Sequence, residues 1–193
     1  MPDTLRLFIA VELLETARDH VEIVLRRLQR LDVPGIRWVR PDSVHLTLKF
    51  LGDVPIEDVL PVTEAMEQAA SGTPSQTLRL DGAGVFPNAR LPRVVWLGVQ
   101  GDIQPLALLQ SKLEEALEVG GFAREDRAFT PHLTLGRVRG RLQPPELEKL
   151  KNAVNEVSDL GTVEMSVDTL SLMESQQRKE GALYQRVAKA VLR

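Results

Sequence analysis

Residues 44–52 read VHLTLKFLG and residues 131–138 read PHLTLGRV. Each stretch contains His-Leu-Thr-Leu, and together they hold two of the three histidines in a chain of 193 residues. Average residue usage puts LTL after a given histidine roughly once in a few thousand cases. Two copies therefore point to a repeated unit. Alternation of polar and apolar residues describes a β-strand with one wet face, and side chains at i and i+2 share a face. His45 and Thr47 should point one way, with Leu46 and Leu48 behind them, and His132 and Thr134 should form the same pair. Lys49 is expected to continue the polar row.

Outward from these strands the chain reads as two halves. Residues 4–12, TLRLFIAVE, are apolar and β-branched enough for a buried strand. Over residues 15–31, Ala17, Val21, Val24, Leu28 and Leu31 form one helical stripe. A helix is expected around 56–70, with Pro61 disturbing its first part. TLRLDGAGVF (77–86) reads as a strand whose glycines mark a bulge. The order then repeats: a strand at 93–100, a helix over 103–119 closed by Gly120 and Gly121, then the second motif strand. PPELEKLKNAVNEV opens with prolines suited to a first helical turn. TVEMSVDTLSLM (162–173) reads as one strand and ALYQRVAKAVL as the last. Phe8 aligns with Trp96 at an offset of 88, His45 with His132 at 87, and Leu80 with Val167 at 87. The expected fold class is α+β: a bilobal duplicated fold, its halves about 4–90 and 91–193. Two mainly antiparallel sheets with outer helices would surround a central cleft.

Composition narrows the function. With 43% hydrophobic and 26% charged residues the chain is an ordinary globular one. No apolar run approaches the roughly 20 residues that span a bilayer, and the acidic opening MPDTLRLFIAVELLE does not read as a signal peptide. The absence of cysteine excludes disulfides, thiolate nucleophiles and cysteine zinc sites. A cytoplasmic monomer with no membrane contact is the expectation. A net charge of −3 argues against a protein that coats long nucleic acid, yet leaves room for a local phosphate pocket.

Two imidazoles across a cleft suit proton transfer near neutral pH. One can take a proton from water while the other protonates a leaving oxygen. The threonine hydroxyls can hold the non-bridging oxygens of a phosphate. Such a site could open a strained cyclic phosphodiester with no metal, no cofactor and no nucleophilic side chain. Against this stands a structural role, in which duplicated strands keep His and Thr for cross-strand hydrogen bonds. His20 reads as a surface or boundary residue, with spacing unlike a helical His-x-x-x-His metal pair. Arg137 reaches a phosphate only if Gly136 breaks strict alternation. Phe50, Trp38, Trp96 and Phe129 read mostly as core, though an aromatic near the cleft could stack a base.

The paired motifs resemble the His-x-Thr-x signatures of the 2H phosphoesterase superfamily. More narrowly, RLFIAVE, the run from Trp38 to Gly52, LPRVVWLGV and FTPHLTLGRV resemble the RNA 2′,3′-cyclic phosphodiesterases, formerly called 2′-5′ RNA ligases. LMESQQRKEGALYQRV resembles that group's closing segment at Ser175 and Tyr184. The resemblance implies hydrolysis of the 2′,3′-cyclic phosphate at an RNA end to a 2′-phosphate, without metal. It implies His45 as proton donor, His132 as proton acceptor, and Thr47 and Thr134 as phosphate binders. Arg137, Phe50 and Tyr184 become candidate substrate contacts. The reverse 2′-5′ joining reaction, 2′-5′ oligonucleotide cleavage and non-catalytic binding of an RNA-end phosphate remain open beside it.

Overall fold

A computed structural model describes residues 3–30, 32–178 and 181–193. Leu31 of the helical stripe and Lys179 and Glu180 of the closing segment lie outside the described residues.

The motif strands are β3 (His45–Pro55) and β6 (His132–Val138). They touch through one register pair, Leu46 opposite Leu133. On one flank of β3 lie β1 (Thr4–Glu12), β8 (Thr169–Arg178) and β9 (Gly181–Val191). On the flank of β6 lie β5 (Val94–Gln100), β4 (Gln76–Phe86) and β7 (Val163–Val167). The hydrogen-bonded order is β7-β4-β5-β6-β3-β1-β8-β9, and the short β2 (Ile36–Trp38) pairs with β6. Two antiparallel arms thus join into one curled sheet. Each arm draws strands from both sequence halves: β4 pairs with β5, while β8 returns to pair with β1.

Helices α1 (Glu15–Arg30), α2 (Val59–Ala70), α3 (Gln104–Val119) and α4 (Pro144–Ser158) cover the outer face. The α1 stripe is buried at Ala17, Val21, Val24 and Leu28 as its periodicity requires. A 3₁₀ turn over Ile56–Asp58 precedes α2, which begins two residues before Pro61, so the proline falls in the first turn where no N–H is needed. Gln143 and Glu146 form a reciprocal capping box before α4. Leu46, Leu48, Leu133 and Leu135 all enter the core between sheet and helices.

Three expectations change. The single strand at 162–173 is two strands, split at Asp168, and they belong to opposite arms. Residues of the main core shift from odd numbers (Met165, Val167) to even ones (Leu170, Leu172), which marks the break. The equivalence of Phe8 with Trp96 also shifts: Ala10 lies opposite Thr47 and Trp96 opposite Thr134, so Ala10 is Trp96's counterpart.

The third concerns Lys49. Thr47 pairs with Ala10 and Lys49 with Ile9, leaving Leu48 as an extra residue. A bulge of this kind reverses the alternation after it. Lys49 is turned into the core at 3% exposure, where its Nζ donates to Glu114 Oε2 at 2.7 Å and to the Ala123 carbonyl at 2.5 Å. Phe50 takes its place on the open face, opposite Phe8.

Candidate active site

A cavity of about 570 Å³ opens on the concave face. His45, Thr47, Thr134, Arg137, Phe50, Tyr184 and Ser175 all line it. His132 is not among the lining residues but lies two residues before Thr134 on the same face of β6. The antiparallel pairing about Leu46 and Leu133 sets each histidine beside the other strand's threonine. His20, half-buried on α1, lies outside the cavity.

The bulge in β3 has a counterpart in β6. Thr134 pairs with Trp96 and Gly136 with Val95, so Leu135 is extra and Arg137 turns into the cavity. Gly136 does break strict alternation, as Arg137's role required. A side chain there is also impossible without movement, since an added Cβ would lie 2.8 Å from the Trp38 ring.

Both imidazoles are held alike. His45 Nδ1 lies 2.9 Å from the Ser43 carbonyl and His132 Nδ1 2.7 Å from the Thr130 carbonyl. A carbonyl only accepts, so each Nδ1 carries hydrogen and donates. Each Nε2 is left to exchange a proton.

Their surroundings differ. Phe8 stacks on His45 at 4.7 Å between ring centroids, and Tyr184 meets its edge-on at 5.1 Å. Phe86 meets His132 edge-on at 5.0 Å. Burial lowers the His45 pKa to about 4, and the Arg137 charge adds to that. The Ser43 carbonyl and the Glu12 carboxylate oppose it. Glu12 sits directly across from His45 in the β1–β3 register. Its Oε2 accepts from Ser171 Oγ and from Arg186 Nη1, each at 2.7 Å.

Six of the seven expected site residues line the cavity, and His132 is not among its lining residues. Sequence reasoning missed Phe8, Glu12, Arg6, Arg37 and Arg40. The run RWVRP before the first motif held a signal in its two arginines, but β2 was not foreseen. Trp38, read as core, is partly buried and lines the cavity. Among the described residues, no helix is long and apolar enough to cross a membrane. Among them, too, no three His, Asp or Glu side chains cluster as metal ligands would.

Residues 15–179 match the family model of the 2′-5′ RNA ligase superfamily. The chain is 36% identical over 179 residues to an RNA 2′,3′-cyclic phosphodiesterase of Methanothermobacter thermautotrophicus, covering 93% of this chain and 94% of that one. It is 34% identical to one of Archaeoglobus fulgidus, over 93% and 96% of the two chains. Among solved structures, the protein TT0787 of Thermus thermophilus superposes with a TM-score of 0.77 at 27% identity, over 98% of both chains. Escherichia coli LigT complexed with 3′-AMP gives 0.73 at 25%, again over 98% of both.

Proposed function

The chain belongs to the 2′-5′ RNA ligase superfamily, and from that premise we propose that it is an RNA 2′,3′-cyclic phosphodiesterase leaving a 2′-phosphate. The observation that carries the reading is the matched anchoring of His45 and His132, each fixed through Nδ1 with Nε2 free to exchange a proton. Duplicated histidines kept only for cross-strand bonding would not need that shared orientation beside a cavity.

In the proposed reaction the cyclic phosphate rests between the Thr47 and Thr134 hydroxyls, with Arg137 supplying positive charge. Water attacks phosphorus opposite O3′, and His132 Nε2 takes its proton. The P–O3′ bond breaks and O3′ receives the proton of His45 Nε2. The products are a 2′-phosphate monoester and a free 3′-hydroxyl, and exchange with solvent resets both imidazoles. With a 5′-hydroxyl in place of water, His132 taking its proton and His45 again protonating O3′, the same step would give a 2′-5′ linkage.

His45 can donate only if it is protonated in the complex. Burial and Arg137 keep it neutral at pH 7 in the free protein. The substrate anion offsets Arg137, so proton uptake accompanies binding.

The test is turnover of a short RNA ending in a 2′,3′-cyclic phosphate by the wild type, His45→Ala and His132→Ala, with the product phosphate located by phosphorus NMR. A 2′-phosphate formed by the wild type alone, with each variant slowed by at least 10³-fold, is expected. Turnover surviving both substitutions would overturn the mechanism, and binding without turnover would make the site a phosphate clip.

A further inference from the structure

Four arginines line the cavity, Arg6, Arg37, Arg40 and Arg137, and no aspartate or glutamate is among its lining residues. Among the described residues none of the four has an ion-pair partner, whereas Arg27, Arg124 and Arg186 are paired with glutamates elsewhere. Arg37 and Arg137 are also set directly opposite each other in the β2–β6 register. Like charges directly opposite destabilise a sheet. A chain of net charge −3 has carboxylates to spare, yet this wall has none. Arg6 faces Asp53 across the β1–β3 register without pairing with it, and four cations gathered around a cavity with no carboxylate in its lining describe a binding site for several anions.

A cyclic mononucleotide brings one negative charge, which Arg137 meets beside the threonines. Three arginines remain. Arg6 continues the β1 row beyond Phe8 and the aromatic face of Phe50, while Arg37 and Arg40 flank Trp38 at the opposite motif strand. Resting on the proposed activity, we infer that Arg6, Arg37 and Arg40 hold the phosphodiesters upstream of the reacting end. The preferred substrate is then the end of a single-stranded RNA rather than a free cyclic nucleotide. Cationic side chains along the backbone with aromatic faces for the bases are the usual means of gripping a single strand. Each nucleotide added upstream supplies one more anion at regular spacing.

The test compares kcat/KM for 2′,3′-cyclic AMP, the same nucleotide with a 5′-triphosphate, and a hexanucleotide with the same cyclic end. Wild type should prefer the hexanucleotide by about 100-fold, with a log–log salt slope near −2, since each contact to a single strand contributes about −0.7. The R6Q/R37Q/R40Q variant should lose about 100-fold on the hexanucleotide and no more than about threefold on cyclic AMP. Single R40Q should show a smaller loss of the same selectivity. Equal wild-type rates on all three substrates, or length preference retained in the triple variant, would overturn the track. Parity of the triphosphate with the hexanucleotide would do so as well, because charge without a chain would then suffice. If wild type hydrolyses none of them, the proposed activity fails. Anisotropy with a 2′-phosphorylated hexanucleotide then judges the track separately, and salt-insensitive binding would reject it.

Discussion

Phe50 and Arg137 occupy the same place in the two motif strands, each three residues after its threonine and each turned into the cavity by a bulged leucine. The backbone device is duplicated, but its payload is not. One arm offers an aromatic face 58% exposed to solvent, the other a guanidinium. Pseudo-symmetric arms alone would accept a substrate in either direction. Under the proposed reaction this difference selects one.

Phe50→Ala should therefore raise KM by about 10-fold with kcat nearly kept, because stacking one base contributes about 1–3 kcal/mol. Arg137→Ala should lower kcat/KM by about 100-fold through the reacting phosphate, with Arg137→Lys restoring only part. Steady-state kinetics on one cyclic-ended RNA separates the two. Identical KM and kcat patterns for both variants would mean that the asymmetry plays no part in orientation.

Substrate-coupled proton uptake, if the proposed reaction holds, can be followed at His45. Its imidazole should titrate near 4 in the free protein. With 2′-AMP bound the midpoint should rise, because a phosphate beside the ring favours the imidazolium and opposes the Arg137 charge. The complex then holds more protons than the free protein, so affinity should increase as pH falls toward 5. An NMR titration in which the midpoint stays put on binding would remove His45 from the donor role.

The same burial ties stability to pH. Unfolded histidine takes a proton near 6.5, whereas folded His45 resists until about 4. Between those values the unfolded chain binds more protons, so this contribution is complete above 6.5 and is lost as pH falls to 4. Its size is on the order of 3 kcal/mol. Denaturant unfolding at pH 7 and pH 4 should show the wild type losing about that much more than His45→Gln. Equal losses would mean that burial does not suppress the charge.

Lys49 and Glu114 make a buried ion pair 2.7 Å apart, with Gln110 Nε2 donating to the other carboxylate oxygen at 2.9 Å. Removing only the cation in Lys49→Met strands a buried carboxylate and should cost about 3–5 kcal/mol. Lys49→Met with Glu114→Leu should recover most of it. Urea midpoints distinguish the two, and a single substitution costing under 1 kcal/mol would show that the pair is not desolvated.

How far the sequence could be read depended on where alternation held. The helices were legible because α1 carries its own apolar stripe and α4 opens on prolines suited to a first turn. His45, Thr47, His132 and Thr134 were legible because i and i+2 positions share a face wherever a strand is regular. One residue later each strand bulges, and local patterning then misplaced Lys49 while leaving Arg137 conditional on Gly136. The mixing of strands between arms was hidden for a different reason. Pairing partners are a property of the whole sheet, and only the odd-to-even shift of main-core residues around Asp168 betrayed the break. Arg37 and Arg40 escaped notice because an arginine's role depends on which carboxylates are near it, a fact about packing alone.

The return of β8 to β1 sets an order in time. Glu12 meets Ser171 and Arg186 across 159 and 174 residues of chain. A nascent chain that has made β1, α1 and β3 holds the first histidine motif but not β8, the strand that pairs with the far edge of β1. Contacts this distant in sequence are among the slowest to form. Phe8 is then without Met173 and Tyr184 beside it, and the β1 edge stays open to other strands. Synthesis yields both motif strands before β8, so a chain interrupted between them and β8 would carry the two histidines without the strand that closes the chamber around them.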